Sequence, residues 1–124
     1  MSNTKSTKEL GDKGERLAVN LLENKGYTIL EQNYRFDRAE VDIVAHNGRE
    51  IIFVEVKLRS STKYGYPEDA VTDQKKQQIF KAAEAWLYER KMDGSPTRFD
   101  VIAILSKSPT EHKIRHFENA FTYR

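Results

Sequence analysis

The chain has 124 residues, 32 % of them charged and 38 % hydrophobic, long enough to build one apolar core and too short to expect two domains. It has no cysteine, which removes disulfides, thiolate metal sites and cysteine nucleophiles together. With 21 basic against 19 acidic residues the formal net charge is +2, which excludes a strongly basic domain but not a local basic surface.

No apolar run approaches the roughly 20 residues that a membrane-spanning helix needs. The polar start, residues 1–9, shows no apolar core or cleavage pattern of a secretory signal. The expectation is a flexible residue 1–9 segment, a single domain over residues 10–124, a cytoplasmic location and no membrane partner.

In chain order, Leu10, Leu17, Ala18, Leu21 and Leu22 recur on one face at helical spacing, and Gly26 supplies a stop. This predicts a first helix beginning near Thr7. Glu15 falls within or beside the apolar arc, which fits a half-exposed residue at its edge as well as a functional acid. Tyr27 to Asn33 has strand composition, and Tyr34 to Arg38 reads as a charged, irregular connection. Val41 to Ala45 and Ile51 to Leu58 then flank Asn47-Gly48, the dipeptide of two-residue type I′ hairpins. Ser60 to Pro67 reads as a loop. Thr72 is the expected N-cap of a second helix running to about Lys91, with Ile79, Ala82, Ala83, Trp86 and Leu87 inward. Arg98 to Leu105 and Lys113 to Phe121 are predicted strands, giving an order of helix, three strands, helix, two strands. His112 and His116, in the last of these, fit a solvated strand edge better than a metal-ligand pair.

The hairpin carries the chemistry. A two-residue loop sets His46 against Arg49, Asp42 against Phe53 and Glu40 against Glu55. Alternation places Glu40, Asp42 and Val44 on the face of Ile51, Phe53, Glu55 and Lys57, with Val41, Ile43, Ile52, Val54, Val56 and Leu58 on the other. Asp42 and Glu55 become diagonal neighbours about 7 Å apart in backbone, able to converge on one ion, with Lys57 leaning over the same spot. Crowded carboxylates in a half-buried sheet demand a proton or a cation. Mg²⁺ suits oxygen ligands and leaves positions for water and phosphate, and a nearby lysine serves phosphodiester hydrolysis. The same alternation also describes a solvated outer face of cross-strand ion pairs. The apolar Ile51 and Phe53 on that face argue that a helix covers it.

Taken together, Gly14-Glu15, Gly26-Tyr27, Asn33-Tyr34-Arg35, Glu40-Val41-Asp42, Phe53-Val54-Glu55-Val56-Lys57 and Arg98-Phe99-Asp100-Val101 resemble the YraN-like family of uncharacterised bacterial proteins, over about Gly11 to Leu105. That family resembles the PD-(D/E)XK nuclease superfamily and is similar to archaeal-type Holliday junction resolvases. The resemblance implies a restriction-endonuclease-like α/β fold, a central mixed sheet of about five strands flanked by helices. It implies that Asp42 and Glu55 are metal-binding acids, Lys57 the catalytic lysine, Glu15 an acid contributed by the first helix, and the Val56 carbonyl a further ligand for Mg²⁺ or Mn²⁺. Ala39 departs from the pattern, standing where a glycine is expected before Glu40. A homodimer is also implied.

Backbone phosphates need cations near such a site. Arg35 and Arg38 precede the Asp42 strand, Arg59 and Lys63 follow Lys57, and Lys75 and Lys76 open the second helix, whose amides also favour an anion. Each fits a solvated surface charge better than a specific contact, and Tyr64 and Tyr66 fit loop anchors as well as contacts to sugar or base. The leading expectation is a metal-dependent nuclease acting on nucleic acid, DNA ahead of RNA. A non-catalytic nucleic-acid-binding module and a structural protein are the alternatives, and Lys57 separates the first reading from these, since hydrolysis has a use for it.

Overall fold

A computed structural model describes residues 7–63 and 65–122, with side chains from residue 11 onward. Helix α1 (Thr7–Asn24) is followed by strands β1 (Thr28–Phe36), β2 (Ala39–His46) and β3 (Ile51–Arg59). A single 3₁₀ turn at Pro67–Ala70 leads to α2 (Asp73–Glu89), β4 (Thr97–Ser106) and β5 (His112–Phe121). The order of elements is the one expected. Helix α1 overlaps the end of the segment assigned to a flexible start, and residues 1–6 and Tyr64 lie outside the described residues. No helix among the described residues is long and apolar enough to cross a membrane.

The strands form one sheet in the order β1-β2-β3-β4-β5, antiparallel except for the parallel β3–β4 pair. Parallel neighbours cannot be joined by a tight turn, and α2 provides the crossover. This mixed sheet with its two helices agrees with a restriction-endonuclease-like fold. Ile52, Val54, Ile102 and Ile104 pack with Ala18 and Leu22 of α1, while Ile51, Phe53, Phe99 and Val101 pack with Ile79, Phe80, Ala83 and Trp86 of α2. The period of two along β3 and β4 thus feeds a core on each face.

Both helices end in left-handed residues. Gly26 takes φ +88°, its N–H bonds to the Glu23 carbonyl, and the Tyr27 N–H reaches the Leu22 carbonyl, satisfying the orphan groups of the last turn. Lys91 does the same for α2 at φ +55°, with Met92 N–H bonding to the Leu87 carbonyl at 2.8 Å. This stops α2 at Glu89, two residues before the expected Lys91. Thr72 caps its start, its hydroxyl accepting from the Lys75 N–H at 3.2 Å.

The β2–β3 register corrects the two-residue-loop expectation. His46 pairs with Ile51, Val44 with Phe53 and Ile43 with Val54, so residues 47–50 form the loop. A type I′ turn needs positive φ at both central residues, and of Asn47 and Gly48 only Gly48 has it, at +95°. Asn47 instead accepts the N–H groups of Arg49 and Glu50 on its side-chain oxygen, at 2.9 and 2.8 Å. The shift is by two residues, so it moves partners without exchanging faces. Continued one step past Ile43↔Val54, it sets Asp42 directly opposite Glu55 rather than diagonal to it.

A second correction concerns β1 and the alternation of β2. Tyr34 to Arg38 is not irregular: β1 runs on to Phe36, pairs it with Ala39, and turns tightly through Asp37 and Arg38, with Asp37 at φ +57°. Between the pairs Gln32↔Ile43 and Tyr34↔Val41, Asn33 takes φ +54° across from Asp42. Both strands change phase there. Val41 shares a core with Val44, Phe53 and Trp86, while Ile43 packs beneath α1, so strict alternation, which puts Val41 and Ile43 together, fails at Asp42.

Candidate active site

Asp42 sits where the phase changes and where the β2–β3 ladder gives way. Its Oδ2 accepts the main-chain N–H of Val56 at 2.8 Å. Burial pushes its carboxyl above the usual range, the Val56 bond opposes this, Glu40 adds to it, and Lys75 and Lys57 counter it.

Glu55, 3 % exposed, shares the α2 face of β3 with Phe53 by alternation. Its Oε1 lies 3.5 Å from Lys57 Nζ and 3.8 Å from Lys75 Nζ, while its Oε2 is buried with no hydrogen-bond partner among the described residues. Burial first, and the Asp42 charge second, push its carboxyl up to about 7 against the pull of both lysines. An unsatisfied buried carboxylate oxygen is costly.

From the opposite face α1 contributes Glu15. Gly14 faces β3 closely: a Cβ there would be in contact with Leu58, 3.4 Å from its Cδ1 and 3.5 Å from its Cβ, leaving no room for a larger side chain. Carboxylate oxygens of Glu15, Glu40 and Asp42 come within 4.8 Å of one another. Burial raises the Glu15 carboxyl, a 3.0 Å hydrogen bond from Asn33 Nδ2 to its Oε2 lowers it, and the Asp42 and Glu40 charges raise it again. Glu40 also pairs with Arg35 at 3.0 Å.

Asp42 therefore joins two sets of groups, Glu15 and Glu40 toward α1, and Glu55, Lys57 and Lys75 toward α2. The acids supply only carboxylate oxygens, the donor set of a hard divalent cation such as Mg²⁺ or Mn²⁺. The three clustered carboxylates of Glu15, Glu40 and Asp42, with the unsatisfied Glu55 oxygen on the other side of Asp42, fit such an ion. The structure adds two members, Glu40 and Asn33, that the sequence does not single out. Strict alternation and its charge fit Glu40 to a solvated face. Asn33 lacked any signal beyond the Asn33-Tyr34-Arg35 segment.

Of the candidate phosphate-binding cations, Lys75 and Arg35 border the acids. Lys76 turns away, pairing with Asp73 at 3.7 Å and lying 5.7 Å from the Phe121 ring. Arg38 occupies the β1–β2 turn, Arg59 ends β3 and Lys63 follows it, all three exposed. Tyr66 is exposed, and Tyr64 lies outside the described residues.

The histidines form no joint site, and His116 is not solvated. Its Nε2 lies 2.7 Å from Asp100 Oδ2 and its Nδ1 2.9 Å from Lys25 Nζ, whereas His112 meets Ser106. Asp100 is fully buried and also accepts from Arg98 Nε, Arg98 Nη2 and the Asn119 N–H. Burial alone would raise its carboxyl, but the bonds from His116, Arg98 and Asn119 together hold it below the usual range. This network ties β5 and the end of α1 to β4.

The comparisons with known proteins agree in one direction. A family model described as "Uncharacterised protein family UPF0102" matches residues 14–104. A UPF0102 protein of Geobacter metallireducens is 50 % identical over 114 residues, covering 92 % of this chain and 93 % of the relative. Another from Geotalea daltonii is 46 % identical over 114 residues, covering 92 % and 90 %. One from Clostridioides difficile is 45 % identical over 116 residues, covering 94 % and 99 %. The chain belongs to the uncharacterised protein family UPF0102, the YraN-like family that its motifs resemble.

Proposed function

We propose that this protein is a divalent-metal-dependent nuclease that hydrolyses phosphodiester bonds, with DNA as its substrate class. The observation that carries this reading is the Glu55 carboxylate, buried beside Asp42 with one oxygen unsatisfied and the other facing Lys57 and Lys75. A sheet stabilised only by packing gains nothing from such a group, whereas a cation site requires it.

Asp42, Glu55 and Glu15, together with the Val56 carbonyl, would hold Mg²⁺ or Mn²⁺, and Glu40 is within reach of the same place. A residue in an extended strand points its N–H and C=O toward the same neighbour. The Val56 N–H points at Asp42, so its carbonyl opens on the same gap. When bound, the ion polarises a phosphate and acidifies water.

The chain's own cations take the remaining roles. The Lys57 ammonium orients the attacking water or stabilises charge building on the phosphate, and Glu55 holds it in place. Lys75, at the N-terminal end of α2, meets a phosphate oxygen where the helix amides also favour negative charge. Arg35 beside Glu40 would contact the backbone next, and Arg38, Arg59 and Lys63 farther out. So few cations per chain suit a homodimer.

The test is incubation of the purified protein with supercoiled, single-stranded, flapped and four-way DNA in Mg²⁺ or Mn²⁺, beside Asp42→Ala, Glu55→Ala and Lys57→Ala. Cleavage by the wild type and loss in all three variants is expected. Cleavage untouched by the three substitutions overturns the site, and DNA binding without cutting on every substrate overturns the reaction.

A further inference from the structure

Asn33 is a β1 residue whose surroundings do not belong to an ordinary strand. It takes φ +54°, and the residues around it, Glu31 and Tyr34, both reach α2, through Trp86 and Glu89 respectively. Its own side chain goes to the other helix, donating from Nδ2 to Glu15 Oε2 at 3.0 Å. Its place in the ladder, between Gln32↔Ile43 and Tyr34↔Val41, sets it across from Asp42.

Two properties of asparagine matter here. It enters the left-handed region more readily than most residues with a side chain, which lets both strands change phase at this rung. Its amide is also a neutral donor that can sit among carboxylates without adding charge. Glu15 is half-exposed on a helix and faces the charges of Asp42 and Glu40, so repulsion and rotamer freedom both favour its leaving the cluster. The Asn33 amide opposes both.

We infer that Asn33 is a positioning residue that holds Glu15 against Asp42 and thereby sets the affinity of the site for its divalent cation. It acts through Glu15 rather than on the substrate. The inference rests on the metal-site reading proposed above. Groups that orient a metal ligand in this way typically change affinity by about 10- to 100-fold when removed.

The experiment is calorimetric titration of Mn²⁺ into metal-free wild type, Asn33→Gly, Asn33→Ala, Glu15→Gln and the Glu15→Gln/Asn33→Gly double variant, with melting temperatures recorded in parallel. Glycine keeps the left-handed backbone and removes only the donor, so Asn33→Gly should melt near the wild type yet bind Mn²⁺ roughly tenfold more weakly. In the Glu15→Gln background the same change should have no further effect, because its target is gone. Wild-type affinity in Asn33→Gly, or an equal loss with and without Glu15, overturns the inference and leaves the metal site standing. A wild type that takes up no Mn²⁺ overturns both.

Discussion

The Asp42 carboxylate accepts the main-chain N–H of Val56 at 2.8 Å, just past the last β2–β3 pair, Ile43↔Val54, Asp42 lying one residue and Val56 two residues beyond it. A side chain here takes the place of a ladder carbonyl, opening the gap between two strands on which Glu55 and Lys57 look. Asp42→Ala should leave a half-buried N–H without a partner and cost about 1–3 kcal/mol. Asp42→Asn keeps an acceptor and removes a charge, so in metal-free buffer it should melt at or above the wild type. Amide exchange at Val56 checks the cause: fast in the alanine variant, protected in the asparagine variant.

The pH dependence of stability follows from Glu55. Its carboxyl is raised from 4.5 to about 7 in the folded chain, so the folded state binds more protons than the unfolded state across that window. Metal-free stability should therefore fall as pH rises from about 4.5 to about 7, by a few kcal/mol at most. Asp42 and Glu15 shift in the same direction and add to the fall. Glu55→Gln should flatten it, and Mn²⁺ should stabilise the protein more at pH 8 than at pH 6, because the ion competes with the protons. Chemical denaturation at a series of pH values measures all three effects, and an unchanged slope in Glu55→Gln removes this explanation.

Gly14 tests the approach of α1. Its substitution by alanine gains helix propensity of about 1 kcal/mol against a contact of 3.4 Å to the mobile end of Leu58. Gly14→Ala should accordingly be close to the wild type in stability. Valine adds two further methyl groups facing Leu58 and Val56, and Gly14→Val should lose about 1–3 kcal/mol. It should also weaken Mn²⁺ binding, since the adjacent Glu15 is carried away from Asp42. Equal Mn²⁺ affinity in Gly14→Val and wild type would show that the site tolerates a displaced helix.

Asp100 is the buried centre of a network away from the clustered acids. Its carboxylate collects bonds from Arg98, His116 and the Asn119 N–H, and Arg98 is itself largely buried. Asp100→Ala removes the buried partner of Arg98 and His116, leaving Arg98 its outer contacts with Glu50, Glu118 and Tyr27, and should cost about 3 kcal/mol, read from the denaturant midpoint. Its lowered carboxyl has the opposite pH sign to Glu55: the stability it contributes is present above the ordinary value of 3.8 and lost as pH falls below it. Stability in the metal-free protein should thus decline on both sides of an acidic maximum.

The elements were legible because their causes are local. Helical spacing of Leu17, Ala18, Leu21 and Leu22 with Gly26 behind it, the Thr72 cap, and the apolar runs of β3 and β4 are properties of neighbouring residues. Asp42, Glu55 and Lys57 could be gathered from alternation, and Glu15 from family resemblance. The hairpin register misled because Asn-Gly is compatible with more than one loop, and the choice fell to the Asn47 side chain, which caps the turn. A two-residue register shift by itself exchanges no faces, so Asp42 and Glu55 stayed neighbours.

What period-two counting could not give was the phase change at Asn33 and Asp42, which depends on a left-handed residue in one strand and its partner across the sheet. For the same reason Glu40 and Asn33 entered the site only in three dimensions, and His116 passed from an expected solvated edge to a buried partner of Asp100. The sequence by itself determined which residues alternate, which helices are amphipathic and which acids stand near a lysine. Only the tertiary structure decided where α1 lies, which carboxylates share one space and which buried oxygen is left without a partner, because these depend on contacts between segments distant in the chain.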